Sequence, residues 1–459
     1  MKTLNNQRGV ALLVLVFLLS LAATAYVIRS LNSTVIKNDR NKKTAAALAQ
    51  AKQALLAYSA NQILVSINKG IPNPVTDCNL NCQRPGDLPC PDRDNDGDAD
   101  PPCNGQAQRL GRLPWKTLGL GDLRDGYGER LWYAVSNRYK NNTRVPLLNS
   151  DTLGTISLRN NYGSLINDAS VTTGLAAVVI APQEVITRED GLVQNRNSIN
   201  MNIASHYLDT AFGEDNANFV DGNINGFISG KVIVNGQVIV NDIILPITRN
   251  EMNAVIEPKV LAEVIKAVLI GFCSGRDKIT TRTCNEPKLN DYLPDPAAIT
   301  DTTCLGNGDV ADTDCSTNSS LSFGRIPVGG NISSSGSGGW ETSDINSILQ
   351  GISKNNWFQQ NGWRELIFYA RAPACAEPTK NCTGVGYLTL QSTLTPPSNN
   401  KQAILISAGS VLSGQARSSN LNKTSIANYL EDENLLPLDS VFSRYTLNAN
   451  RNDRATSIP

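Results

Sequence analysis

Five aspartates alternate with other residues along the segment PDRDNDGDAD, which begins at Pro91 and is flanked by Cys90 and Cys103. Carboxylates this closely spaced repel one another unless a hard cation gathers their oxygens. Calcium suits this role because it takes roughly six to eight oxygen ligands in a flexible geometry. The spacing therefore predicts a calcium site whose ligands come from Asp92, Asp94, Asp96, Asp98 and Asp100.

The start of this segment follows the ligand order of an EF-hand loop. Aspartates fill the first, third and fifth places, and Gly97 takes the sixth. The twelfth place departs from the pattern because it holds Cys103 instead of glutamate, and two prolines stand where a helix would begin. The missing bidentate ligand would have to come from elsewhere, with Asp122 and Asp125 as candidates. A solvated acidic turn without metal is the alternative.

A second, thinner acidic cluster lies between Cys304 and Cys315. It has fewer carboxylates in the same length of chain, so a plain polar loop is the favoured interpretation and a metal site the alternative. Its members are Asn307, Asp309, Asp312 and Asp314.

The chain has ten cysteines, and all of them follow an apolar N-terminal run. Their even number predicts disulfides in an oxidising compartment such as the periplasm. Local pairing is the simplest arrangement, although spacing does not fix connectivity and the first four cysteines could exchange partners. A zinc site formed by those four is the alternative. The local pairs are Cys78–Cys82, Cys90–Cys103, Cys273–Cys284, Cys304–Cys315 and Cys375–Cys382.

Composition argues against two large classes of function. The chain carries 41 basic and 41 acidic residues, whereas nucleic-acid binding relies on a surplus of Lys and Arg. The one histidine, His206, cannot build a three-histidine zinc site. No G-x-S-x-G elbow, phosphate-binding loop or dinucleotide fingerprint occurs. We therefore expect neither a nucleic-acid partner nor an enzyme.

The N-terminus contains an uncharged apolar run from Val10 to Ile28. As a helix it measures about 28 Å, close to the roughly 30 Å of a bilayer core, so residues 10–28 are predicted to cross a membrane once. Helical spacing of Ala and Leu continues beyond it, which predicts one helix over residues 10–61. A cleaved secretory signal ending at Ala23-Thr24-Ala25 is the alternative.

The sequence Arg8-Gly9-Val10, directly before the apolar run, resembles the class III signal of type IV prepilins. The fifth residue after Gly9 is Val14, where most pilins carry glutamate; this resembles K-type minor pseudopilins and X-type minor pilins. The resemblance implies cleavage after Gly9 by a prepilin peptidase and methylation of Val10. It also implies other pilins as partners through the helix, and an inner-membrane subunit with periplasmic domains that reaches the cell surface in a fibre.

Two halves of the chain repeat six short motifs in the same order. GRLPW at 111–115 matches GRIPV at 324–328, and AVVIAPQEV at 177–185 resembles AILISAGSV at 403–411. The repeat predicts an α+β fold in which a long pilin-like helix precedes two duplicated domains, each a helix on an antiparallel sheet. The expected divisions are leader 1–9, stalk 10–61, first domain 62–250 and second domain 251–459.

These features together predict a minor pilin or pseudopilin-like subunit at the tip of a type IV pilus or a related fibre. Such a subunit would prime assembly and serve adhesion. Two alternatives stay open at this point. One is a type II secretion tip component that contacts exported proteins. The other is an anchored or secreted adhesin unrelated to pili.

Overall fold

The computed structural model describes residues 7–68, 85–140, 147–223, 225–274, 293, 295–305, 318, 320–326, 358, 361–375, 386–392, 396–435, 440–445, 447–448 and 450–458. It combines helices with several antiparallel sheets, which confirms the α+β class. The described helices are α1 (Gln7–Asn68), α2 (Arg249–Ser274), α3 (Trp363–Leu366) and α4 (Asn420–Lys423). Short 3₁₀ turns lie at Gln106–Arg109, Ala204–His206, Thr302–Cys304, Pro373–Cys375, Ile426–Asn428 and Asp432–Leu435.

The strands fall into two series along the chain. The first series is β1 (Leu110–Arg112), β2 (Trp132–Val135), β3 (Leu158–Arg159), β4 (Leu165–Asn167), β5 (Leu175–Ala181), β6 (Thr210–Ala211), β7 (Glu214–Asp215), β8 (Phe227–Ile228), β9 (Val232–Val234), β10 (Gln237–Val240) and β11 (Ile243–Thr248). The second series is β12 (Phe323–Arg325), β13 (Ile367–Arg371), β14 (Leu388–Ser392), β15 (Ser398–Lys401), β16 (Ala403–Ser407), β17 (Val441–Arg444) and β18 (Arg454–Ile458).

Helix α1 has 62 residues and exceeds the predicted 10–61 at both ends. At about 1.5 Å per residue it is about 93 Å long. Ala47, Leu48, Ala51 and Leu55 are buried along one face, as their spacing predicts, and Tyr58 is half-buried beside them. Among the residues whose side chains are described, no helix combines the length and apolarity needed to cross a membrane. The membrane span at residues 10–28 stays a prediction.

Each half is built around a four-stranded antiparallel sheet. The strand order is β1-β2-β5-β11 in the first and β12-β13-β16-β18 in the second. The registers also correspond: Gly111 lies opposite Tyr133, and Gly324 lies opposite Tyr369. The motifs repeated in the sequence therefore occupy equivalent positions of the two sheets.

A three-stranded sheet accompanies each four-stranded one and repeats the same connections. In the first, β3 pairs antiparallel with β4 and parallel with β8. In the second, β14 pairs antiparallel with β15 and parallel with β17. The correspondence thus extends beyond the repeated motifs to strands whose sequences differ.

One hydrophobic core joins the two halves. Helix α1 packs on β5, β11 and α2, and α2 packs in turn on β16 and β18. Tyr133 and Tyr369, on equivalent strands, are both fully buried in this core. The opposite face of the first sheet forms a separate core around Trp132, Ile180 and Phe227. The alternation of Trp132 and Tyr133 between the two faces follows from the period of two in a strand.

Two local predictions differ from the structure. The β-branched residues of Gln237–Leu245 predict one strand, but the segment divides into β10 and β11. The division occurs because the N–H groups of Asn241 and Asp242 donate to the Asp209 carboxylate instead of continuing a ladder. The sequence IASHYLD around His206 predicts a helical stretch and a structural role for the histidine. The structure has a 3₁₀ turn there, in which the imidazole Nδ1 accepts from the Asn195 N–H.

Candidate metal centre

The aspartate-rich loop is attached to the edge strand of the first sheet. Asp92 and Arg112 exchange backbone hydrogen bonds of 3.0 and 2.6 Å, which ties the start of the loop to β1. A disulfide between Cys90 and Cys103, one of the predicted pairs, closes the loop at its base. Sheet edge and disulfide together fix where the loop begins and ends.

Asp92, at the start of the loop, is completely buried. Its Oδ1 accepts the Asn95 N–H at 2.6 Å and its Oδ2 accepts the Gly97 N–H at 2.7 Å. Burial raises the pKa of this carboxyl above its ordinary value, although the two backbone donors oppose the rise and nearby Asp96 and Asp100 add to it. A cation beside Asp92 would favour its charged form.

Three of the five predicted ligands come together. Asp92, Asp94 and Asp100 each present a carboxylate oxygen, and these oxygens lie within 4.8 Å of one another. Asp100 is held in place by the Arg93 N–H, which donates to its Oδ2 at 2.5 Å. Carboxylate oxygens at this spacing form the donor set that hard divalent cations prefer.

Asp96 and Asp98 lie outside this group. The Asp96 Oδ1 accepts the Asp98 N–H at 2.7 Å, and the Asp98 Oδ2 lies 3.8 Å from the Lys116 ammonium. Both side chains are exposed. The alternating spacing predicted that all five carboxylates lie together, but the turn leaves the third and fourth of them outside the group.

Neither candidate for the missing ligand joins the three carboxylates. Asp122 forms ion pairs with Arg124 and Arg130. Burial raises its pKa, but the hydrogen bonds and charges of the two guanidinium groups together outweigh burial and leave the pKa below its ordinary value. Asp125 accepts backbone N–H groups from Tyr127, Glu129 and Gln183. Both side chains therefore organise the neighbouring loop, and the expected fourth carboxylate is not found at these positions.

The shape of the loop depends on two left-handed residues. Asn95 has φ +68° and Gly97 has φ +98°. A Cβ at Gly97 would lie 2.6 Å from the Trp115 ring, so only glycine fits this position. The Arg130 Nη1 donates to both the backbone and side-chain oxygens of Asn95, at 2.7 and 2.8 Å. Trp115 and Arg130 thus position the aspartate-rich loop.

The second half provides an internal comparison for Asp92. Asp92 and Arg112 form an antiparallel β-bridge, and Ala297 and Arg325 form the equivalent bridge in the second half. Alanine at the equivalent position shows that this architecture does not require a carboxylate there. The buried charge at Asp92 is therefore a feature of the first half alone, which favours a role in binding.

The remaining predicted sites are only partly described. Cys304 and Cys375 are disulfide-bonded, and the Cys90–Cys103 bond rules out the four-cysteine zinc site. The side chains of Gly9, Val10 and Cys273 are not described, although all three residues lie in helices. Outside the described residues lie Cys78, Cys82, Cys284, Cys315, Cys382 and the second acidic cluster at 307–314.

A cleft lies beside the aspartate-rich loop. Its volume is about 230 Å³, and Asp92, Arg112 and Trp132 contribute to its walls. The residues that enclose it come from two stretches of the chain, 92–132 and 202–219, so no single local motif marks it. Searches for a similar protein-family model, curated protein or solved structure find no match to the chain.

Proposed function

We propose that the chain is a minor pilin or pseudopilin-like subunit at the tip of a type IV pilus or a related fibre. One observation carries the proposal: a single helix runs from the Arg8-Gly9-Val10 segment into the globular core. Its described side chains at 15–21 and 34–43 are exposed, whereas Ala51 and Leu55 are fully buried. A helix with a free, apolar first part and a docked second part suits packing among other pilin helices.

A duplicated pilin-like plan supports placement at the tip. The matching strand orders and registers of the two sheets support descent of both halves from one helix-on-sheet unit. Only the first copy is preceded by the apolar segment of residues 10–28. The second copy adds bulk at the end of the subunit away from the membrane segment, which would block another subunit from stacking above it.

The proposal assigns an order of events to the N-terminus. The apolar helix holds the subunit in the inner membrane with its two domains in the periplasm. A prepilin peptidase cuts after Gly9 and methylates the amine of Val10. The helix then packs against other major and minor pilins, and the domains reach the cell surface, where they serve priming and adhesion.

Calcium binding at the aspartate-rich loop forms part of the proposed function. Asp92, Asp94 and Asp100 provide three carboxylates. Because calcium takes roughly six to eight oxygen ligands, waters or carbonyls would supply the others. The ion would offset the mutual repulsion of the carboxylates and thereby stabilise the loop at the edge of the first sheet.

The N-terminal residue of the mature protein tests the proposal directly. Mass spectrometry of the native protein should find N-methylated Val10 as the first residue. A Gly9→Val variant should stay uncut, while an Ala25→Val control, which alters the alternative signal-peptidase site, should be processed normally. A mature protein beginning at Tyr26 would contradict the pilin assignment.

Association with a fibre is a second, independent test. The protein should co-purify with the major pilin of its host, and deletion of its gene should reduce the number of pili, their adhesion, or both. Normal numbers of fully adhesive fibres without the protein would contradict the proposed role.

A further inference from the structure

The cleft beside the aspartate-rich loop lies on the face of the first sheet that points away from the helices. Its lining includes the apolar side chains of Leu110 in β1, Ala204 in the 3₁₀ turn and Phe219. Its volume of about 230 Å³ corresponds to about seven or eight waters at roughly 30 Å³ each. That is the size of one six-membered sugar ring with its hydroxyl groups.

The second half fills the same place with larger side chains. The strand register makes Leu110 equivalent to Phe323, and the 3₁₀ turns make Ala204 equivalent to Ile426. Phe323 lies 6.0 Å from the Phe368 ring and packs, together with Ile426, against the common core. The open volume in the first half therefore comes from two smaller residues on an otherwise equivalent scaffold.

At two equivalent positions the first half has a side chain with a polar group and the second half has an apolar side chain. Asp92 corresponds to Ala297, and Trp132 corresponds to Phe368. The Trp132 side chain is 2% exposed, and its Nε1–H has no hydrogen-bond partner among the described residues. A buried donor without an acceptor costs free energy, so a ligand that reaches this wall of the cleft and supplies an acceptor would recover that cost.

The rim of the cleft is dominated by primary amides. Gln106 donates to the Phe219 carbonyl at 2.7 Å, and Asn202 donates to the Asp94 carbonyl at 3.3 Å. These bonds orient both side chains and leave their carbonyl oxygens as acceptors. Asn218 adds a third amide to the rim.

We propose that this cleft binds one sugar residue of a neutral glycan. Hydroxyl groups both donate and accept hydrogen bonds, which matches amide side chains and the free Trp132 N–H. The charges that line the cleft belong to Asp92, Arg93 and Arg112; Arg93 lies against Asp100, and Arg112 is stacked between the rings of Trp132 and Tyr207. Arg93 donates to the backbone carbonyl of Asp100, and Arg112 donates to those of Arg130 and Met201. The sialylated oligosaccharides in the array test whether either guanidinium also selects an acidic ligand. The apolar side chains of the lining suit the C–H face of a sugar ring.

This inference deepens the adhesive part of the proposed function and rests on it for its biological setting, but the cleft does not depend on fibre assembly. The two ideas therefore fail separately. An unprocessed N-terminus would contradict the pilin assignment and leave the cleft unaffected. Absence of glycan binding by a correctly processed protein would contradict the cleft proposal alone.

The test uses the fluorescently labelled full chain in mild detergent on an array of neutral and sialylated oligosaccharides. The natural protein should bind a set of neutral glycans that share one sugar. The double variant Leu110→Phe, Ala204→Ile rebuilds the packing of the second half and should weaken binding at least tenfold. No binding, binding to acidic glycans alone, or equal binding by this variant would overturn the proposal.

Further variants separate the cleft from general folding effects. Trp132→Phe keeps the ring found in the second half, removes one N–H donor and should weaken binding several-fold even if the double variant folds poorly. Leu421→Ala alters a residue that is 82% exposed in the second half, and it should bind as the natural protein does. Repeating the array in EDTA shows whether glycan binding requires a metal ion at the aspartate-rich loop.

Discussion

Asp92 gives the sharpest prediction at the scale of single residues. We expect calcium to raise the melting temperature of the natural chain, because an ion that binds only the folded state stabilises it by about 2.7 kcal/mol at one hundred times its Kd. Asp92→Ala should abolish this increment, since it removes the buried member of the three-carboxylate group. Differential scanning calorimetry with calcium and with EDTA measures the increment.

Asp98→Ala is the matched control for Asp92→Ala. Its carboxylate lies in the same loop but is exposed and outside the three-carboxylate group. The control should retain most of the calcium-induced rise. Equal loss in both variants would mean that calcium recognises the overall charge of the loop and not the assembled site.

A pair of buried carboxyl groups forms the second feature at this scale. The Asp209 N–H donates to the Asp242 Oδ2 at 2.8 Å, and the Asp242 N–H donates to the Asp209 Oδ2 at 3.1 Å. The second half repeats this exchange between Glu431 and Asp453, at 2.9 and 3.2 Å. Each pair thus joins the segment after a 3₁₀ turn to the segment before the last strand of its sheet.

Within each pair, one carboxyl oxygen has no hydrogen-bond partner among the described residues: Oδ1 of Asp242 and Oδ1 of Asp453. Burial and the neighbouring carboxylate raise the pKa of Asp242 well above its ordinary value, and burial raises that of Asp209 to about 6. Arg196 is the nearby positive charge that opposes both rises. A proton shared by the pair relieves the repulsion between two buried charges.

These raised pKa values predict that stability falls as pH rises. The folded state holds protons that the unfolded chain releases near pH 4, so the contribution is complete in acid and is lost as pH increases through about 6. Asp242→Asn mimics the protonated acid and should flatten the decline in the free energy of unfolding between pH 5 and 8. Urea titrations across this range measure the slope.

The exposed Asp98→Asn variant provides the comparison for Asp242→Asn. It removes one negative charge without touching the buried pair, so its stability should keep the pH dependence of the natural chain. An Asp242→Asn profile that parallels the natural profile would show that the pair does not hold a proton in this range.

At the scale of elements, each edge strand depends on one glycine. A Cβ at Gly111 would lie 2.6 Å from the Asp92 carbonyl, and a Cβ at Gly324 would collide with the Ala297 carbonyl. The segments that carry Asp92 and Ala297 therefore cross β1 and β12 at positions that have no side chain. Gly111→Ala should lower the free energy of unfolding by about 1–3 kcal/mol through this overlap.

Gly111→Ala should also weaken calcium binding, because Asp92 lies at the crossing. Gly121→Ala is the matched control, since a Cβ there meets no atom within 4 Å. Denaturant unfolding and calcium titration of both variants test the coupling. Unchanged calcium affinity in a destabilised Gly111→Ala protein would show that the strand edge does not position the loop.

A stacked arginine marks the same position in both sheets. The Arg112 guanidinium lies 4.2 Å from the Trp132 ring centroid and 4.0 Å from that of Tyr207. The Arg325 guanidinium lies 5.0 Å from the ring centroids of both Phe368 and Tyr429. Burial lowers the pKa of Arg112 to about 10. Because Tyr207 and Tyr429 directly follow the two 3₁₀ turns, each stacked arginine connects a turn to its edge strand.

The sequence predicted local and repeated features better than distant ones. Helical spacing identified the buried face of α1, and repeated motifs placed β1 and β12 at equivalent positions. The split between β10 and β11 was missed because its cause, the Asp209 carboxylate, lies about 30 residues away. The exposure of Asp96 and Asp98 was missed for a different reason: it depends on a local turn, in which the Asp98 N–H donates to Asp96, and the alternation of aspartates does not specify that turn.

At the scale of the whole molecule, the two halves share one core and bond across their boundary. The Ser150 hydroxyl donates to the Glu257 carboxylate at 2.6 Å, and the Arg417 guanidinium lies 3.0 Å from Asp151. Helix α2 lies between α1 and the second sheet, so neither sheet can lose its helices without exposing the apolar surface of the other half. Independent unfolding of the halves is therefore disfavoured.

This shared core predicts a single cooperative transition for both halves. Met252 is fully buried on α2, and its sulfur lies 4.0 Å from the Ser59 hydroxyl of α1. Met252→Ala should cost about 2–5 kcal/mol through the cavity it leaves, and peptides covering β5 and β16 should lose hydrogen-exchange protection at the same lower denaturant concentration. Leu421→Ala, at an exposed site, should leave the midpoint unchanged. Separate midpoints for the two strands would mean that each half folds alone and that the contacts between α1 and α2 are too weak to couple them.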